Sequence, residues 1–270
     1  MPMDVAEVAA HSRTENFPIA SLIFPREYRP HLRAIYGFAR LVDLLGDDWE
    51  GDRLQVLDEL ERQLDRCYSG EPDWPVMRAL APTIHDCSLP REPFWRLIEC
   101  NRQDQRVSEY ETWADLKVYC TLSADPVGRL VLGVFGRAHD ARLVAWSDDV
   151  CTGLQLVNFL QEVPRDLGLG RIYLPAVDRR RFGVTVLDRP NEPLTRLLGF
   201  EAERARGLLA AGTRLREAIG GRVGRGIGLF ADGGLAALEA LEAAGWDIFT
   251  RRPRPSRARL ARAAVVALVR

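Results

Sequence analysis

Residues 31–48 read HLRAIYGFARLVDLLGDD, and this segment decides the fold. Apolar side chains occupy most of the circumference of a helix drawn through it, which is typical of a helix in a protein interior. Tyr36, Arg40, Asp43 and Asp47 nevertheless fall at i, i+4, i+7 and i+11, so they share one face. Carboxylates are rarely buried unless they are paired or bind a metal ion. This face therefore predicts either an internal ion-pair ladder or one wall of a metal site.

A second segment, residues 151–163, has the same character. Gln155, Asn158, Glu162 and, if the helix continues, Asp166 fall at i, i+3, i+7 and i+11. A single exposed amphipathic face explains this pattern by itself. Two such faces opposed across a bundle would instead enclose a polar cavity, whose carboxylates a hard cation such as Mg²⁺ would neutralise. Apolar walls around that cavity would suit a ligand with a diphosphate head and a hydrocarbon body.

Helical periodicity continues along the rest of the chain, and only the short stretch 171–175 resembles a strand. We expect a single all-α domain over residues 1–250, followed by a basic tail helix in 251–270. Pro30 predicts the first turn of the opening helix, and the glycines within 220–226 predict a turn between helices. Further helices are predicted at 52–68, 93–106, 112–135, 145–163, 194–219, 227–244 and 256–269.

The composition of the 270-residue chain argues against several classes of protein. The net charge of −1 hides a local charge of +7 in residues 250–270 and −8 in the remainder. An acidic body without a basic face interleaved with aromatic residues argues against nucleic-acid binding. Five cysteines without a CxxC pair and four scattered histidines favour neither a disulfide framework nor a zinc site. Because no secretory signal or membrane-spanning run is apparent, we expect a cytoplasmic protein.

Short motifs follow one another along nearly the whole chain. They are Asn16-Phe17-Pro18, Ala34-Ile35-Tyr36, Phe38-Ala39-Arg40-Leu41-Val42-Asp43, Gly46-Asp47, Tyr119-Cys120, Val127-Gly128, Leu154-Gln155-Leu156-Val157-Asn158-Phe159-Leu160-Gln161 and Gly170-Arg171-Ile172-Tyr173-Leu174-Pro175. In this order and at these separations, the motifs resemble the squalene/phytoene synthase family of trans-isoprenoid enzymes. Within that family, the first motif and the stretch Asn101-Arg102-Gln103-Asp104-Gln105-Arg106 are most similar to bacterial hydroxysqualene synthases.

The resemblance implies an isoprenoid-synthase fold, in which a helical bundle surrounds a central apolar cavity, and Mg²⁺-dependent ionisation of a prenyl diphosphate. The implied metal ligands lie on two walls and are Asp43, Asp47, Asn158, Glu162 and Asp166. The implied diphosphate-binding residues are Asn16, Arg40, Gln155 and Arg171. The implied catalytic residues, beside the departing diphosphate, are Tyr36 and Tyr119.

The resemblance further implies a hydroxysqualene synthase of squalene and hopanoid biosynthesis, which ionises presqualene diphosphate and quenches the carbocation with water. The alternatives are a head-to-head synthase that converts farnesyl diphosphate to presqualene diphosphate or squalene, and a non-catalytic relative that binds isoprenoids or a protein. Four positions depart from the family pattern. Leu44 and Arg165 replace acids, Glu162 replaces an aspartate, and Pro164 predicts a kink or an end in the second helix.

The basic tail suggests a peripheral contact with a membrane. Arg257, Arg259 and Arg262 precede the apolar run 263–269, which is too short to span a bilayer but able to lie on an anionic one. A flexible solubilising end is the alternative interpretation of the same residues.

Overall fold

The computed structural model describes residues 24–250, and within this range the chain is all-α, as predicted. A 3-10 turn at Arg26–Tyr28 leads into the first helix. The α-helices that follow are α1 (Arg29–Asp47), α2 (Arg53–Ser69), α3 (Pro75–Asp86), α4 (Arg91–Gln103), α5 (Trp113–Ser123), α6 (Asp125–Val134), α7 (Ala141–Gly168), α8 (Ala176–Phe182), α9 (Glu192–Leu209), α10 (Ala211–Ile219) and α11 (Gly221–Ala243).

Side-chain caps and prolines explain where several of these helices begin. Asp52 accepts a hydrogen bond from the Gln55 amide at 3.0 Å and so caps α2. Thr112 and Asp115 form a reciprocal capping box at the start of α5. Pro30 lies in the first turn of α1, where its missing N–H costs no hydrogen bond.

Some predicted boundaries were wrong. The helix expected at 112–135 is two helices, because Pro126 starts a new first turn after Ala124. The helix expected at 194–219 is also divided, between α9 and α10. The predicted glycine turn is confined to Gly220 and Gly221, which have φ of 66° and 56°, and the remaining glycines lie inside α11. The tail helix predicted at 256–269 lies outside the described residues.

Two helices organise the packing. The long helix α7 packs against α5, α6, α9, α10 and α11, whereas α1 packs against α2, α3, α4 and α6. Helix α6 therefore contacts both, and its Gly128 allows a close approach to α7, because a Cβ there would overlap Ser147 and Cys151. Two buried apolar clusters result, one around α1 to α4 with Phe38 and Phe94 in edge-to-face contact, the other around α7.

All five cysteines are free thiols. Burial raises the pKa of each, to about 12 for Cys67, Cys120 and Cys151, and also above the usual value for Cys87 and Cys100. No helix among residues 24–250 combines the length and apolar character needed to cross a membrane.

Candidate functional site

Two adjoining cavities lie between α1 and α7. The first, called the polar chamber, has a volume of about 390 Å³ and is lined by charged and aromatic side chains. The second, called the apolar chamber, has a volume of about 340 Å³ and is lined mainly by aliphatic side chains, among them Leu32, Ile35 and Val131. Arg40, Asp43 and several neighbours line both. Each volume falls within the range of about 300–1,000 Å³ found for small-molecule sites.

The polar face of α1 is divided between the two chambers. Arg40 and Asp43 lie at their border, where an Arg40 guanidinium nitrogen is 3.5 Å from a carboxylate oxygen of Asp43. Asp47, one turn further along, lines only the polar chamber, and Tyr36 lines only the apolar chamber. The Arg40–Asp43 pair is thus part of the predicted ion-pair ladder, and the same helix face also forms part of the cavity wall.

The polar face of α7 lies opposite. Gln155, Asn158 and Asp166 line the polar chamber, so this face is not simply exposed to solvent. Glu162 is buried and is not among the side chains that line either chamber. The helix neither ends nor breaks into two at Pro164, but continues to Gly168. Asn16, expected to bind diphosphate, lies outside the described residues.

Two arginines cross the polar chamber to Asp47. Arg171 donates to Oδ1 of Asp47 at 2.6 Å, and Arg165 donates to Oδ2 at 3.3 Å. Arg171 reaches this position because the chain reverses after α7 through Gly170, whose φ is 76°, and the Arg171 amide then donates to the Asp166 carbonyl. Asp47 therefore joins α1 to the end of α7 by ion pairs.

Asp104 is a chamber residue to which the sequence analysis assigned no role. Its carboxylate accepts hydrogen bonds from the hydroxyls of Tyr119, at 2.8 Å, and Tyr173, at 3.0 Å. An Arg171 nitrogen lies 4.0 Å from it, and the Cys100 thiol donates to the Tyr119 hydroxyl at 3.2 Å. The sequence does show a polar stretch directly after the apolar part of α4. It does not show which residues Asp104 contacts, because the two tyrosines lie 15 and 69 residues away along the chain.

Aromatic rings form the wall beside this carboxylate. The rings of Phe159 and Tyr173 stack with centroids 4.2 Å apart and planes 10° apart. Tyr119 packs against Tyr173 at 5.4 Å and against Tyr110 at 5.2 Å. Aromatic faces stabilise nearby positive charge electrostatically, so this wall suits a cationic species.

Two carboxyl groups of the polar chamber have raised pKa values, and burial is the main cause. Burial, reinforced by the nearby charge of Glu162, raises the pKa of Asp166 to about 7. Burial likewise raises the pKa of Asp104 to about 6, although Arg171 and the two tyrosine hydroxyls oppose the shift. A cation bound in the chamber would stabilise the ionised forms of both groups.

The donor atoms fit a hard divalent cation. Asp43 and Asp47 on one wall, and Asn158 and Asp166 on the other, offer the carboxylate and amide oxygens that Mg²⁺ prefers. Among residues 24–250, however, no three His, Cys, Asp or Glu side chains converge closely enough to form a ready-made site. Asp47 faces two guanidinium groups, so it would have to exchange a partner to bind a metal ion.

Curated proteins with similar sequences are named as isoprenoid synthases. The hydroxysqualene synthase of Zymomonas mobilis is 34% identical over 213 residues, which cover 76% of this chain and 71% of that protein. The phytoene synthase of Arthrospira platensis is 32% identical over 210 residues, which cover 71% of this chain and 68% of that protein. Because these two relatives have different names, their similarity to this chain supports an isoprenoid-synthase activity but does not specify the substrate.

Solved structures share the fold. The squalene synthase HpnC from Alicyclobacillus acidocaldarius is 45% identical, with a TM-score of 0.81 and coverage of 90% of this chain and 93% of that one. A dehydrosqualene synthase in complex with a ligand is 26% identical, with a TM-score of 0.88 and coverage of 98% and 95%. The sequence profile of the squalene/phytoene synthase family matches residues 10–259. This chain therefore belongs to the squalene/phytoene synthase family.

Proposed function

We propose that this protein is a Mg²⁺-dependent hydroxysqualene synthase that converts presqualene diphosphate and water to hydroxysqualene and diphosphate. The observation that carries the proposal is a polar chamber, with carboxylates and arginines on facing walls, that opens into an apolar chamber. A substrate with an anionic head and a long hydrocarbon body matches that division. The hydroxysqualene synthases among the relatives support the choice of substrate.

The diphosphate head would bind in the polar chamber. Arg40 and Arg171 offer guanidinium groups whose fork geometry matches phosphate oxygens, and Gln155 offers an amide beside them. Asp43, Asp47, Asn158 and Asp166 would hold Mg²⁺. The ion, when bound, supplies positive charge that makes the diphosphate a better leaving group.

The hydrocarbon end would be held in the apolar chamber and against the aromatic wall. When the carbon–oxygen bond to diphosphate breaks, both bonding electrons leave with the diphosphate and a carbocation remains. Tyr119, Phe159 and Tyr173 face the polar chamber, where their rings stabilise that positive charge. A water molecule then adds to the cation through its oxygen and releases a proton, which the departing diphosphate is able to accept.

A second candidate is a head-to-head synthase that uses farnesyl diphosphate. Relatives named phytoene synthase, and a solved structure named squalene synthase at 45% identity, favour keeping it. The two adjoining chambers offer space for a second prenyl chain.

Product analysis distinguishes these candidates. Purified protein with Mg²⁺ is incubated separately with presqualene diphosphate and farnesyl diphosphate. Hydroxysqualene from the former supports the proposal, whereas consumption of farnesyl diphosphate alone supports the second candidate. If both substrates remain intact, the chain is a non-catalytic member of its family.

A charge-removing variant tests the metal wall. Asp43→Asn should lower turnover by at least about 100-fold with little effect on folding, because it removes one negative ligand from the chamber. Asp48→Asn is the control, since Asp48 directly follows the same helix as its C-cap and lines neither chamber. Turnover by Asp43→Asn at the wild-type rate would show that our metal assignment is wrong.

A further inference from the structure

The two arginines that bind Asp47 differ in how firmly they are held. Arg171 is buried, with 8% of its side chain exposed, and donates to Asp47 at 2.6 Å while lying 4.0 Å from Asp104. Arg165 is 52% exposed and pairs with Asp47 at the longer distance of 3.3 Å. An exposed, long ion pair of this kind contributes little to stability, so it exchanges readily for a better anion. Arg165 is therefore the arginine that is available to a ligand at the chamber mouth.

Arg165 also sets the charge balance of the polar chamber. Four aspartates and three arginines line it, so its formal charge is close to neutral. An acid at position 165 would change this charge by two units. The chamber would then repel a diphosphate until several positive charges had been added. With arginine at position 165, the guanidinium group itself supplies positive charge for the binding of diphosphate.

We propose that Arg165, together with Arg171, forms a metal-independent anion site that binds the diphosphate group of the substrate directly. Asp47 holds both guanidinium groups across the chamber in the absence of ligand. The diphosphate displaces the Asp47 carboxylate from Arg165, because phosphate oxygens accept charge-assisted hydrogen bonds from a guanidinium fork and carry more negative charge. This inference deepens the proposed function and depends on it for the identity of the substrate, but not for the binding of diphosphate itself.

The exchange also frees one oxygen of Asp47. That carboxylate, with only 14% of its side chain exposed, would then face the chamber with Arg171 as its remaining partner. Diphosphate should therefore bind first through Arg165, and Mg²⁺ should bind more tightly once diphosphate is present. Replacing Arg165 by an acid should invert this order, because diphosphate would then need the metal ion in order to bind.

Calorimetric titration with inorganic diphosphate tests the proposal without turnover. The full chain is titrated at low ionic strength, once in EDTA and once in excess Mg²⁺, as wild type, Arg165→Gln and Arg165→Glu. Wild type should bind diphosphate in EDTA, and Arg165→Gln should bind about 10- to 100-fold more weakly, as expected for one charged hydrogen-bond partner. Arg165→Glu should bind only in Mg²⁺. The control is Arg142→Gln, because Arg142 lies at the other end of α7, is 79% exposed and should leave the affinity unchanged.

Two results would overturn the proposal: no binding of diphosphate by wild type in EDTA, or equal affinities for wild type and Arg165→Gln in EDTA. Far-UV circular dichroism and the Tm of each variant show whether it is folded. Failure of the proposed function can be told apart from failure of this inference. A chain that binds diphosphate through Arg165 but leaves presqualene diphosphate intact would contradict only the proposed function.

Discussion

Asp104 holds three parts of the site together through one carboxylate. It accepts hydrogen bonds from Tyr119 on α5 and from Tyr173, which follows α7, and it lies 4.0 Å from Arg171. Only 6% of its side chain is exposed, so these partners have little competition from water. The aromatic wall and Arg171, which we propose to bind diphosphate, are therefore oriented by the same buried group.

Asp104→Asn should impair turnover while leaving the chain folded. The amide keeps the shape of the carboxylate but accepts through only one oxygen, so one tyrosine loses its partner. Loss of a hydrogen bond to a charged group costs about 1.5–3 kcal/mol, which predicts a fall in kcat of about 10- to 100-fold. Steady-state kinetics with presqualene diphosphate measures this fall.

Tyr173→Phe serves as the matched control for that experiment. It removes one donor and leaves the negative charge of Asp104, so its kcat should fall less and its KM should stay closer to wild type. Full activity of Asp104→Asn would contradict the positioning role of this carboxylate.

Helix α7 contains a proline, Pro164, close to the residues by which its last turns line the polar chamber. Pro164 has no N–H to donate to the Leu160 carbonyl, yet the helix continues for another turn. Arg165 and Asp166, which line the polar chamber, come directly after the proline. The proline thus weakens the helix at the point where it presents its charged residues.

Pro164→Ala should stabilise the protein. It restores a helical hydrogen bond and removes the clash of the ring with the preceding turn, which together predict a gain of about 1–3 kcal/mol in the free energy of unfolding. Urea denaturation measures that gain. Pro82→Ala is the matched control, because Pro82 lies inside α3 and lines neither chamber. We expect both variants to gain stability and only Pro164→Ala to change its affinity for diphosphate. A loss of stability in Pro164→Ala would refute this prediction.

Sequence periodicity predicted the long amphipathic helices well, because their apolar spacing depends only on local geometry. Sequence periodicity failed where something other than regular apolar spacing determines the structure. Helix α3 contains Pro82, and α8 is too short to show a period, so neither was predicted. At the site, the stripe on α1 was visible because its residues share a helix, whereas Asp104 was missed because its partners are distant in sequence.

For the whole molecule, charge buried in the core makes stability depend on pH. Burial raises the pKa of Glu201 to about 7, although Arg204 donates to its carboxylate at 2.5 Å. Below its unfolded pKa, near 4.5, this carboxyl is protonated in both states and costs nothing. As the pH rises from there to about 7, the folded state holds more protons than the unfolded state, so stability falls.

Glu201→Gln should remove this part of the pH dependence. The variant should gain stability relative to wild type between pH 5 and pH 8, by at most about 3 kcal/mol for a pKa shift of this size. Urea denaturation of both proteins at several pH values measures the difference. If the difference stays constant with pH, Glu201 does not titrate in this range.

The uneven charge of the chain leads to a prediction about membranes. Residues 250–270 carry +7 and the remainder carries −8, so the basic end is the part that an anionic lipid surface would attract. Deleting residues 251–270 should abolish sedimentation with vesicles rich in phosphatidylserine at low salt. Unchanged sedimentation of the truncated chain would leave the tail as a solubilising end.

The three buried cysteines, Cys67, Cys100 and Cys120, allow opening of the structure to be measured. Alkylating reagents react with thiolates, and burial raises the pKa of these three thiols, which disfavours the thiolate in the folded chain. Alkylation therefore proceeds only as fast as each region exposes its cysteine, and mass spectrometry identifies which region opened. Cys151 is half-buried and lies where both chambers meet, so the rate of its modification reports how easily a reagent enters the chambers, and a bound isoprenoid should slow it.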